Sequence, residues 1–251
     1  MSLAYGIRSK ITSLFLASSL LLVGGNASAA LLDAFENGGF DGYTGNTNSF
    51  NGDVPPGWTV TDGTPDVFNE NTNIYGFAWQ SSSTGGDFLH GIGWDGRFDN
   101  YVESALQVGL GGLVIGQQYE ISFEQTISNS NNGANVGGYW EIIFGAESQN
   151  SEVMDVPTFG ETADWIWQTL IFTATSEIQT LEVVAHSATG PRTDLGIDSF
   201  FLGDPGTNPD NPDTPTDPDT PPTALPVPGS LPLLGLGLGA LLLVARRQRQ
   251  S

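Results

Sequence analysis

The sequence predicts an all-β protein: an antiparallel β-sandwich of the jelly-roll kind, flanked by an N-terminal signal helix and a C-terminal transmembrane helix. Three observations carry this expectation. Short runs such as Tyr119-Glu120-Ile121-Ser122-Phe123 and Trp140-Glu141-Ile142 alternate apolar and polar residues, the period of a half-buried strand. Gly, Asn, Ser and Asp clusters bound each run, and no run of ten residues between the ends carries a convincing helical stripe. The long continuous apolar stretches lie at the two ends of the chain.

Residues 1–29 have the layout of a signal peptide. Arg8 and Lys10 give a positive start, Ile11 to Val23 an apolar run, and Ala27-Ser28-Ala29 a small-residue site for signal peptidase, with cleavage expected after Ala29. Residues 30–203 supply about 175 residues, enough for one domain with a substantial core. Within them Leu170-Ile171-Phe172-Thr173, Leu181-Glu182-Val183-Val184-Ala185 and Gly196-Ile197-Asp198-Ser199-Phe200-Phe201-Leu202 read as late strands. Residues 204–224 place proline at nearly every third position among Asp, Asn and Thr, which predicts an unpacked stalk of roughly 60 Å in polyproline II geometry. Leu225 to Ala245 is long enough for a helix crossing the hydrocarbon core, which needs roughly 20 residues. Arg246, Arg247 and Arg249 then mark the cytoplasmic side.

Charge separates the same segments. Of the seven basic residues, only Arg97 and Arg192 lie between the signal and the tail, against 28 acidic residues, so that stretch has a net charge of −26. Such a surface repels nucleic acid and anionic lipid, and divalent cations are its natural partners. No cysteine is present, which excludes disulfides, thiolate metal sites and a thiol nucleophile.

The tail, from Pro226-Val227-Pro228 through the Leu/Gly span to the arginine-rich end, resembles the PEP-CTERM class of sorting domains, although Val227 stands where that class usually has glutamate. The resemblance implies processing by an exosortase-type membrane protease, with Pro226, Val227, Pro228, Arg246 and Arg247 as the sorting residues.

A second resemblance spans most of Asn37 to Leu202. Asn37-Gly38-Gly39-Phe40-Asp41, Pro56-Gly57-Trp58-Thr59-Val60, Gly112-Leu113-Val114-Ile115-Gly116-Gln117-Gln118-Tyr119, Trp167-Gln168-Thr169-Leu170 and Ile197-Asp198-Ser199-Phe200 occur in the order of the galactose-binding-like jelly roll, a fold shared by carbohydrate-binding modules. It implies a structural calcium ion (Ca2+) held by Asp41, Asp198 and the Gly39 carbonyl, oxygen ligands of the kind calcium requires. Read without the resemblance, Asp41 equally caps a turn and Asp198 equally sits exposed on a strand. Sugar binding needs aromatic faces beside polar groups. Trp79, Trp94, Trp140 and Trp165 are the candidate platforms, whereas Trp58 and Trp167 match packed positions of the fold. The stretch from His90 to Tyr101, with Trp94, Arg97 and Tyr101 between glycines, is the best single candidate loop for extracellular polysaccharide, and Trp79 is placed with it.

Catalysis finds little in the residues. His90 and His186 are the only histidines, and no motif joins them to a nucleophile or a metal set. The expectation is therefore an exported protein of the cell envelope or extracellular matrix, anchored or processed at its C-terminus, with a non-catalytic polysaccharide-binding or adhesive domain. The alternative is an extracellular glycan hydrolase, which needs two carboxylates across a cleft. Processing at the tail predicts a mature C-terminus near Pro228, read by mass spectrometry of the protein from cells and medium. A chain that still ends at Ser251 in both fractions rules it out.

Overall fold

The computed structural model describes residues 35–44, 52, 54–74, 77–94, 101–129 and 135–212. Ala27 and Ala29, expected to mark signal cleavage, Pro226, Val227, Pro228, Arg246 and Arg247, expected to direct sorting, and Arg97 lie outside the described residues. Among the described residues no helix is long and apolar enough to cross a membrane, and all regular structure is strand.

The strands are β1 (Trp58–Asp62), β2 (Asp66–Asn69), β3 (Asn73–Ile74), β4 (Phe77–Ala78), β5 (Asp87–Trp94), β6 (Tyr101–Val102), β7 (Ser104–Gly111), β8 (Gln118–Ser128), β9 (Gly138–Phe144), β10 (Glu147–Asn150), β11 (Ile166–Thr173), β12 (Ile178–Ser187) and β13 (Thr193–Gly203). β3 and β4 pair with each other as a small two-stranded ribbon, and the remaining strands form two larger antiparallel sheets. One runs β1-β7-β12-β9-β10 and is called sheet A; the other runs β11-β8-β13-β5-β2 and is called sheet B, with β6 also paired to β5. The two stack as a sandwich, the arrangement expected from the alternating pattern.

The core lies between the sheets. Trp140, Ile142 and Phe144 of β9 and Leu181, Val183 and Ala185 of β12 face Tyr119, Ile121 and Phe123 of β8 and Leu195 and Ile197 of β13, all essentially inaccessible. Trp140 spans the gap and donates its indole N–H to the Gly196 carbonyl of the opposite sheet at 3.2 Å. Gly91 of β5 lies under the same ring, and a Cβ there would come within 2.6 Å of it. A side chain at position 91 therefore collides with the largest residue of the core.

Two seams join the sheets. The chain passes from β6 in sheet B to β7 in sheet A through Glu103, whose N–H bonds the Ile92 carbonyl at 3.0 Å and whose carbonyl accepts the Ala185 N–H at 3.0 Å. At the other side β10 reaches the edge of β11 with side chains. Gln149 donates to the Ile171 carbonyl at 2.6 Å and Glu147 accepts the Thr173 N–H at 3.2 Å, which occupies groups that an edge strand would otherwise present for pairing.

Sheet B is covered on its outer face as well. Phe68, Trp79 and Phe88 form a second buried cluster there, with Trp165 packed against it. Residues 204–212, assigned to the stalk by composition, belong to this layer. Asn208 donates to Ser122 Oγ at 2.8 Å, the Gly206 N–H to Glu120 at 2.6 Å, and Asn211 to Thr169 at 3.3 Å. Asn208 and Asn211 are buried. The folded unit thus extends to residue 212 rather than 203, because amide side chains satisfy outward polar groups of β8 and β11 where apolar packing is absent.

Two buried titratable groups sit beside these layers. His90 lies between Asp194 (3.2 Å) and Asp66 (3.5 Å) and stacks on Phe68 at 4.3 Å. Burial alone would lower its pKa, but the hydrogen bonds and charges of Asp194 and Asp66 raise it from 6.5 to about 9. Asp194 is also bound by Arg192 and Asn135. Glu103 accepts the Ile92 N–H at 2.8 Å and the Tyr101 hydroxyl at 2.6 Å. Its burial pushes it from 4.5 up to about 7, against the opposing pull of His90 and of the Tyr101 bond.

Both folded-state values lie above the unfolded ones, so each contribution is complete at low pH and lost on the alkaline side. Glu103 loses its contribution as pH climbs from 4.5 through about 7, and His90 as it climbs from 6.5 through about 9. Denaturant midpoints are expected to fall across that range. Glu103→Gln should flatten the lower part, with a gain over the parent on the order of 2–3 kcal/mol above neutral pH. Parallel curves for the two proteins would refute the assignment.

Candidate functional site

The predicted calcium residues converge. The turn containing Asn37 to Asp41 docks on β13 through the Phe200 N–H to the Gly38 carbonyl at 3.0 Å, and Asn37 clasps the Asp41 N–H at 3.0 Å. Gly39 is close enough that a Cβ on it would lie 3.4 Å from Asp41 Oδ2 and 3.9 Å from Asp198 Oδ1. Asp198 is fully buried, which corrects the reading of it as an exposed strand residue. Ser82 donates to its Oδ2, whereas Oδ1 is buried without a hydrogen-bond partner.

Backbone geometry is unusual at this point. Between Asp198 and Phe201 the pairing of β13 with β8 slips by a bulge. Ser199 there adopts φ 60° and Phe40 φ 53°, and these are the two non-glycine residues in the left-handed region among the described residues. Such conformations cost on the order of 1–3 kcal/mol each and persist where the surroundings impose them. The bulge lets Ile197 and Phe200 both face the core while Ser199 donates to Glu124 at 3.0 Å.

Glu124 is the member that sequence reasoning missed. It is the cross-strand partner of Asp198 and is nearly inaccessible, which ties it to the site through register. Its Oε2 accepts the Ser83 N–H at 3.0 Å and the Ser83 hydroxyl at 2.8 Å. Burial pushes the Asp198 carboxyl well above the usual range, and the charges of Asp41 and Glu124 add to this despite the bonds from Ser82 and the Ser199 N–H. A buried carboxylate with an orphan oxygen near another acid fits a hard cation, which would remove that penalty. Among the described residues no three acidic or histidine side chains meet at metal-ligand distance, so carbonyl and hydroxyl oxygens have to complete a shell. Next to the cluster opens a cavity of about 330 Å³ lined by Gly39, Asp41, Thr84, Ser199 and the segment from Asn208 to Asp210.

Of the predicted sugar residues, Trp94 and Tyr101 come together and Trp79 is buried apart from them. β5 and β6 form a hairpin in which Trp94 is the register partner of Tyr101, and both are half-buried. The Arg192 guanidinium lies 5.9 Å from the Trp94 ring centre. Tyr101 accepts the Thr64 N–H at 3.2 Å in addition to its bond to Glu103. Burial and the Glu103 bond raise its pKa. Trp79 is not a platform: it is 2% exposed, with its ring edge-on to Phe68 and His90. Trp140 is likewise spent in the core. Trp165 is half-buried and donates to the Gln80 carbonyl at 2.9 Å. Trp58 packs in the core as expected, whereas Trp167 is half-buried beside Glu124 on β11.

A further aromatic surface lies on the outward face of sheet A. Tyr139 of β9 stacks on His186 of β12 with centroids 5.2 Å apart and planes at 18°. His186 Nε2 is 3.0 Å from Glu141 Oε2, and Ser148 donates to Glu141 Oε1 at 2.6 Å. Further across, Thr61 donates to Glu182 at 2.6 Å and shares a hydrogen bond with Ser104, also at 2.6 Å. These residues run across all five strands, roughly 19 Å at 4.8 Å per strand. Unlike the outer face of sheet B, this one keeps its outward side chains at least partly exposed at Tyr139, Glu141, Ile143, Glu182 and His186. The only signal of it in the sequence was the polar half of the alternation in β9 and β12.

The described architecture defines the class of protein as an antiparallel β-sandwich. No protein-family model matches the chain, and no curated protein matches it. Solved structures similar to it include the sugar-binding C-terminal domain of EclA (18% identity, 39% of this chain and 64% of that one, TM-score 0.29). An arabinose-bound α-L-arabinofuranosidase, MgGH51, matches over 70% of this chain and 26% of its own length (14% identity, TM-score 0.45). TmCBM61 in complex with β-1,4-galactotriose matches over 66% and 94% (16% identity, TM-score 0.35). The chain spans less than two thirds of the first two. At these scores the likenesses carry no assignment of activity.

Proposed function

We propose that this chain is an exported, non-catalytic polysaccharide-binding protein of the cell envelope or extracellular matrix, held by its C-terminal segment until that segment is processed. The observation that carries the reading is the outward face of sheet A, where a stacked Tyr139–His186 pair stands beside carboxylates already fixed by hydrogen bonds. Aromatic faces pack on the apolar side of sugar rings, and fixed polar groups select their hydroxyls. Gly39, Asp41, Asp198 and Glu124 hold a structural calcium ion in this reading, which fastens the N-terminal turn to the last strand.

Affinity electrophoresis of the full chain through gels containing polysaccharides tests the binding. Retention is expected without release of reducing sugar, and Tyr139→Ala should weaken it about tenfold with the unfolding midpoint unchanged. Full retention by that variant overturns the assignment of this face. Calcium is expected to raise the thermal midpoint of the chelator-treated protein, and Asp198→Asn to abolish the shift. Identical melting with calcium and with chelator removes the ion from the proposal.

A further inference from the structure

Resting on the proposed glycan face, we infer that this face selects uncharged glycan chains and rejects acidic ones. The register of β12 with β9 sets Glu182 opposite Ile143 and Val184 opposite Glu141, so the two carboxylates are diagonal neighbours, about 7–8 Å apart at the backbone. Beside Glu182 lie Ile143 and Leu106, half-buried apolar side chains against which the C–H faces of sugar rings pack, while Val184, opposite Glu141, is buried.

A carboxylate only accepts hydrogen bonds and has about four lone-pair sites. Glu141 spends one on Ser148 and one on His186; Glu182 has a bond from Thr61. Capacity remains on both, so a ligand must bring donors, as a hydroxyl-rich chain does. A uronate landing there instead meets two like charges, and among the described residues the strands of this face carry no lysine or arginine to offset them. Arg192, one of only two basic residues between the signal and the tail, is bonded to Asp194 in sheet B. His186 is already committed to Glu141.

The test is a panel of neutral oligosaccharides of several linkages, each paired with its C6-oxidised uronate form, titrated into the full-length chain at low and high salt. Neutral members are expected to bind about tenfold or more tighter than their oxidised partners, with the gap narrowing as salt screens the repulsion. Glu141→Gln combined with Glu182→Gln should close most of the gap. Glu161→Gln combined with Glu177→Gln, at exposed loop positions outside this face, should leave it as it was. Oxidised members binding as tightly as neutral ones overturn the selectivity and leave the glycan reading standing. A gap that the loop pair closes equally well assigns the effect to overall charge and also overturns it. Failure of every member of the panel to bind overturns both.

Discussion

Trp140 holds the two sheets in a fixed relation, and much else depends on that. Its ring fills the space between β9 and β5, its indole N–H bonds Gly196 across the core, and its own backbone N–H is taken by Ser151 at 2.9 Å. Because side chains alternate along a strand, an inward Trp140 puts Tyr139 and Glu141 outward. The same constraint acts from β12, where inward Ala185 puts His186 outward. The aromatic pair on the open face is thus a consequence of how the core is filled.

The two sheets solve the problem of their outer faces differently. Sheet B buries its outer side under an aromatic cluster and under residues 204–212, and at that price it carries buried acids, each matched by a specific donor or charge. Asp194 has Arg192 and His90, Glu120 has the Gly206 N–H, and Glu124 has Ser83 and Ser199. Asp66 Oδ1, Glu120 Oε1 and Asp198 Oδ1 are left unmatched, and of these three acids it is Asp198 whose carboxyl is raised by the charges of both Asp41 and Glu124, the surroundings in which the proposed calcium ion would relieve the mismatch. Sheet A leaves its outer side to solvent, so its polar residues bond to one another and retain acceptors.

Legibility followed the range of the interactions. The strands at Tyr119–Phe123, Trp140–Ile142 and Leu181–Ala185 were visible because alternation is local. Asp41 and Asp198 were reached through resemblance, yet Glu124 was not, since its place depends on the register between β8 and β13 and on a bulge that no local pattern announces. Trp79 and Trp140 looked like platforms because composition cannot tell a buried tryptophan from an exposed one. The segment 204–212 looked like stalk because it has no apolar side chain to pack, and the amides of Asn208 and Asn211 attach it by hydrogen bonding instead.

The sequence by itself determined the strongly acidic character of the stretch between the two apolar ends, the absence of thiol chemistry and the strand periodicity, because each is a property of composition or of neighbours along the chain. Only the tertiary structure decided which face of each sheet is covered, which tryptophans are consumed by the core, and that Tyr139, His186, Glu141 and Glu182 share one surface. Those outcomes rest on pairings between residues distant in the chain. Strand register and sheet stacking fix them, and neither is written in any short stretch of residues.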